Sequence, residues 1–109
     1  MESKSMLLQL LGDYPIVRVL DFLLENDVFD YSKKDVCRNA NVSWNTLETF
    51  WKQLEEKSLV VPTRKVGKAQ LYKLDTSNPV VQKLAEVDKA LVQQSMSKVG
   101  RKKAKVLAK

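Results

Sequence analysis

Apolar residues along this chain change their spacing several times, and each change marks an element. Met6, Leu7, Leu8, Leu10 and Leu11 crowd the first segment and predict a short helix, ended by the turn Gly12-Asp13-Tyr14-Pro15. Pro15 suits the first position of a following helix, where its missing N–H costs nothing. That helix, residues 15–26, is apolar at Ile16, Val17, Val19, Leu20, Phe22, Leu23 and Leu24. This surface is wider than the single stripe of a surface helix, so it should be covered from more than one side, by the N-terminal leucines or by a second subunit. Val28-Phe29-Asp30-Tyr31 reads as a brief strand.

Residues 32–57 read as two helices joined by a tight turn. Ser32 with Asp35 three residues later has the spacing of a reciprocal helix N-cap. Val36, Cys37 and Ala40 give the first helix a small apolar face, and Asn41 stands where a turn needs positive φ. Ser43 then caps a second helix over 44–57. At about 100° per residue, Leu47, Leu54 and Trp51 cluster on one side of that helix, with Trp44 and Phe50 on its flanks. Asn45, Thr49, Lys52, Gln53 and Glu56 take the opposite side. The whole is a helix-turn-helix pattern. After it, Leu59–Arg64 and Ala69–Leu74 are β-favouring runs around Lys65-Val66-Gly67-Lys68, which predicts a hairpin with a basic tip.

A basic hairpin directly after a helix-turn-helix is the wing of a winged-helix domain. The chain here resembles the winged-helix transcription regulators of the broad ArsR/MarR kind, and looks most like the small archaeal ones. The resemblance rests on Ser32-Lys-Lys-Asp-Val-Cys-Arg-Asn-Ala-Asn-Val-Ser43, Thr46-Leu47, Leu54-Glu-Glu-Lys-Ser-Leu-Val60 and the wing, within a span of about 43 residues from Ser32 to Leu74. It departs from that pattern at Asn41 and Ser58, where glycine is common. Cys37 stands alone on the packing face, so the metal sensing of part of the ArsR group has no support. The implied fold is mainly α with a small β-hairpin wing, an α+β winged helix-turn-helix.

With that fold, Asn45 and Thr49 are the candidates for base-edge contacts, since asparagine pairs with adenine and threonine meets a thymine methyl. Ser43 and Thr46 are candidates for phosphate near the helix N-terminus. Lys33, Lys34 and Lys52 could reach the backbone, and Arg64, Lys65 and Lys68 on the wing would meet phosphate or the minor groove. Trp44 lies toward the core side and serves either packing or DNA. Glu48 and Glu56 would repel phosphate unless turned aside.

Asn78 and Pro79 begin a last helix, in which Val80, Leu84, Val87 and Leu91 are spaced 4, 3, 4, a two-heptad seam. The seam predicts a two-fold dimer contact, with Leu7, Leu8 and Leu11 contributing; docking on its own domain is the other reading. The organisation expected is an apolar helical segment (1–14), the winged domain (15–77), a dimerisation helix (78–97) and a basic tail (98–109).

Composition narrows function more than fold. The six basic residues of 98–109, with no acid among them, account for the whole net charge of +6 and leave 1–97 formally neutral. Tip and helix charges must therefore carry any case for nucleic acid. There is no histidine and one cysteine, which removes zinc spacings, disulfides and the commonest general base. No Gly-rich phosphate loop or membrane-length apolar run is present, and no signal peptide is read. The expectation is a non-enzymatic, cytoplasmic, nucleoid-associated protein without cofactor, metal or small-molecule ligand. It would bind double-stranded DNA sequence-specifically as a homodimer and regulate transcription. Two alternatives stay open. One is a protein-interaction or assembly module using the acidic Glu48, Glu55 and Glu56. The other is sequence-independent DNA coating or plasmid maintenance driven by wing and tail.

Overall fold

The computed structural model describes residues 5–96. Its elements are α1 (Met6–Leu11), α2 (Pro15–Glu25), β1 (Tyr31–Ser32), α3 (Lys33–Ala40), α4 (Trp44–Glu56), β2 (Val60–Val66), β3 (Ala69–Leu74) and α5 (Pro79–Met96). The three strands form one antiparallel sheet in the order β1-β3-β2. Helices α2, α3 and α4 followed by the β2–β3 hairpin make the winged helix-turn-helix that the sequence predicts.

The core gathers around α4. Leu47, Phe50, Trp51 and Leu54 are buried on one side of it. They meet Val19 and Leu23 of α2, Val36 and Ala40 of α3, Val60 and Leu74 of the sheet, and Val81 of α5. The Trp51 ring stands edge-on to Tyr72 of β3, with centroids 5.2 Å apart. The broad apolar surface of α2 is covered within the chain, by α1, α3, α4 and β3.

Two left-handed residues close the helix ends. Asn41 (φ 58°) ends α3, and the amide of Val42 donates to the Cys37 carbonyl at 3.0 Å. Ser58 (φ 59°) ends α4, where Leu59 N–H donates to Leu54 O at 2.9 Å and Ser58 N–H to Glu55 O at 3.0 Å. That pair of bonds is a Schellman closure, built on serine where glycine is the cheaper residue.

The structure corrects the sequence reading in four places. Residues 26–29 form a turn rather than strand, because Asn26 folds back, its side-chain amide donating to Phe22 O at 2.8 Å. Only Tyr31 and Ser32 find partners, Tyr72 and Leu71. The wing strands run further out than expected, so Lys65 and Val66 lie on β2 and the loop shrinks to Gly67-Lys68. Such a two-residue loop needs positive φ at its first position, and Gly67 supplies it at 63°. At the other end, α5 docks on its own domain through Val81, 3% exposed and not one of the four seam residues. Leu7 is likewise sealed by its own chain at 1% exposure and offers nothing to a partner. The basic tail, 98–109, lies outside the described residues.

Candidate nucleic-acid interface

The helix-turn-helix is fixed from both ends and from below. At the start of α3, Ser32 Oγ accepts from the Asp35 amide (3.1 Å) while the Asp35 carboxylate accepts from the Ser32 amide (3.2 Å). These bonds hold the Asp35 carboxyl below its ordinary value, with the Arg38 guanidinium adding to them. The turn is gripped by Arg18 of α2. Its guanidinium donates to Ala40 O at 3.0 Å and Asn41 O at 3.1 Å, and pairs with Asp13 at 2.9 Å. Those carbonyls are the ones a helix end leaves without partners, so the α3–α4 turn is anchored to α2.

Ser43 caps α4 by accepting from the Thr46 amide at 3.1 Å, and its hydroxyl lies 2.9 Å from that of Thr46. Thr49 donates its hydroxyl to Thr46 O at 2.6 Å. Asn45, Thr49 and Lys52 are all exposed along the outer face of α4. Ser43 and Thr46 are thus already engaged with one another, and Thr49 keeps its methyl free.

The charges on this face are unequally available. Lys33 pairs with Glu48 at 2.9 Å, and its ammonium stands 5.5 Å from the centre of the Trp44 ring and 6.0 Å from that of Trp51. This pairs the Glu48 carboxylate, on the same helix as Asn45, Thr49 and Lys52. On the wing, the Arg64 guanidinium makes two bonds to the Asp30 carboxylate, at 3.0 and 3.2 Å, and the Thr63 hydroxyl donates to the same group. Held chiefly by Arg64 and then by Thr63, the Asp30 carboxyl falls to a pKa of about 2. Gln70 of β3 donates to Arg64 O at 3.1 Å. Lys34, Lys52, Lys65 and Lys68 are exposed and have no ion-pair partner among the described residues.

Between the starts of α3 and α4 and the wing lies a cleft of about 410 Å³, lined by Lys33, Lys34, Trp44, Lys68, Gln70 and Tyr72. Trp44, the first residue of α4, is 46% exposed against it. The structure therefore brings Lys33, Lys34, Trp44 and Lys68 together around one concavity, leaves Asn45, Thr49 and Lys52 on the exposed face of α4 outside its lining, and turns Arg64 toward Asp30. Asp30, Gln70, Tyr72 and Arg18 escape a reading by sequence. Asp30 meets Arg64 across 34 residues, and Arg18 meets the Ala40 and Asn41 carbonyls across 22 and 23, separations that no local pattern marks.

The solved structure of Sso10a-2, a DNA-binding protein from Sulfolobus solfataricus, superposes on this chain with a TM-score of 0.51. The two are 11% identical, and the match covers 83% of this chain and 93% of that one. The likeness is one of fold. No protein-family model matches the chain, and no curated protein does. Among the described residues, no cluster of His, Cys, Asp and Glu could hold a metal ion, and no helix is long and apolar enough to cross a membrane. Burial pushes the Cys37 thiol up, which suits a packing residue better than a reactive one.

Proposed function

We propose that this chain binds double-stranded DNA sequence-specifically, α4 lying in the major groove and the wing reaching the backbone beside it, and that it regulates transcription as a homodimer. The observation that carries this reading is the exposed Asn45–Thr49–Lys52 face, on a helix whose first residue, Trp44, shares a cleft with Lys68, which like Lys65 has no ion-pair partner among the described residues. That face lies on a winged-helix fold shared with a protein described as DNA-binding. A polar helix face suits the donor and acceptor pattern of the major groove, and the wing lysines suit phosphate. The pairing of Glu48 with Lys33 removes an objection, since a free carboxylate there would repel the backbone. The homodimer has support in α5. Its Val80 and Val87 are 53% and 41% exposed, and with Leu84 they line an apolar groove of about 300 Å³. A two-fold pair would bring two α4 helices to half-sites about 34 Å apart.

Selection of duplexes from a random pool tests the reading. A specific reader returns a two-fold site, and Asn45→Ala then loses about 1–3 kcal/mol at one base position and little on random duplex. Equal losses on both would take Asn45 out of base readout. Removal of residues 98–109 separates the alternatives, because a coating protein loses most of its affinity and a specific reader keeps its site preference.

A further inference from the structure

The cleft beside Trp44 is more apolar than a phosphate track requires. Phosphate asks for cations and N–H donors, and Lys34 and Lys68 among the lining residues supply the cations. It does not ask for an aromatic wall. Yet an indole 46% exposed stands at the cleft, at a helix position with no need of a large apolar side chain, and Tyr72 lies deeper with its ring against the buried Trp51. Lys33 stands over the indole ring but gives its charge to Glu48. Aromatic wall and flanking free lysines are the chemistry of a base stacked between two phosphates. At about 410 Å³ the cleft falls within the range of sites that enclose a small planar ligand.

We infer that this cleft holds an unpaired nucleotide of a DNA strand, its base stacked on Trp44 and its phosphates held by Lys34 and Lys68, so that the chain favours duplex with a single-stranded flank over blunt duplex. The inference deepens the duplex reading, with which it shares Lys68. Its premise of an unpaired base stands apart from that reading.

The test compares the full-length protein on three fluorescent probes at about 150 mM salt, where non-specific attraction is damped. They are a blunt duplex, the same duplex with a short oligothymidine overhang, and oligothymidine alone. The overhang should tighten binding by roughly tenfold and quench the emission of Trp44. Trp44→Ala should erase that gain, and Trp44→Phe, which keeps a stacking face, should retain most of it. Because Trp44 is exposed, both variants should melt close to the parent; if Trp44→Ala does not fold, quenching in the parent and the Trp44→Phe gain decide. Equal affinity for blunt and overhung probes, or a gain that survives in Trp44→Ala, overturns the inference while leaving duplex reading intact. Binding to overhung and single-stranded probes without any to blunt duplex would overturn the duplex reading and uphold this one. Binding to none of the three overturns both.

Discussion

The guanidinium of Arg64 already has a carboxylate, whereas the ammonium of Lys68 stands in solvent without one among the described residues, so their removal should have different effects. Lys68→Ala should flatten the salt dependence of DNA binding by one phosphate, a slope change of about 0.9. Arg64→Ala should change that slope by much less, because Asp30 has cancelled its charge. Parallel salt titrations on one duplex measure both, and equal slope changes would mean that Asp30 releases Arg64 on binding. The same ion pair has an acid signature. Asp30 titrates near 2 in the fold against an ordinary value of 3.8. Its contribution is therefore present above about pH 4 and is lost as pH falls toward 2. Asp30→Asn should lower the urea midpoint at pH 6 and leave it nearly unchanged at pH 2. Asp21 runs the other way: burial raises its carboxyl, so it favours the fold in acid and opposes it above its ordinary value. The sequence tells these aspartates apart poorly. Asn41 announced its left-handed turn by residue type, and Asp35 announced its cap by spacing from Ser32. Nothing near Asp30 points 34 residues ahead to Arg64.

Between elements, one amide links the end of α4 to the start of α5. Asn78 Oδ1 accepts from the Val80 amide at 2.7 Å and caps α5, while its Nδ2 donates to Ser58 O at 3.0 Å and Lys57 O at 3.2 Å just past α4. Asn78→Asp keeps the cap and loses the donors; Asn78→Ala loses both. The first should cost about 1 kcal/mol and the second about 2 kcal/mol, from the usual worth of a cap and of such bonds. Denaturant melts of the two variants give the comparison, and equal costs would mean that the bonds to 57 and 58 add nothing. At this scale the pattern was readable where a boundary has a local cause. Caps at Ser32, Ser43 and Asn78 and the turn at Gly67 all have one. The length of β2 did not, because Lys65 and Val66 look like loop residues until Gln70 and Ala69 pair across from them. The strand expected at 28–31 failed for a related reason: its apolar residues find no neighbouring strand, and Val28 and Phe29 remain 73% and 63% exposed.

For the molecule as a whole, the winged fold was legible because its order of elements is local and each segment declares its own period. Which surface covers which was not. The heptad spacing in α5 is compatible with a partner helix and with docking at home, and the structure uses one edge of the helix for docking through Val81. The outward edge, with Val80 and Val87, is what the proposed homodimer would bury. Val87→Glu should then halve the sedimenting mass, from about twice 12.5 kDa to 12.5 kDa, without lowering the melting temperature of the single chain. An unchanged mass would remove α5 from the contact. The candidate site was half legible: Asn45, Thr49 and Lys52 follow from the phase of one helix, but the cleft beside Trp44 is assembled from three elements that meet only in space.

Arg18 holds the turn from beneath, touching backbone carbonyls and an aspartate outside α4. The attitude of α4 is therefore set by atoms that every amino acid shares, and does not depend on what Asn45, Thr49 or Lys52 happen to be. Exchanges at those three solvent-facing positions should fall within the half kcal/mol typical of ordinary surface changes. If α4 reads DNA as proposed, a new sequence preference can be written onto this scaffold, by evolution or by design, while the frame that aims it stays as it is.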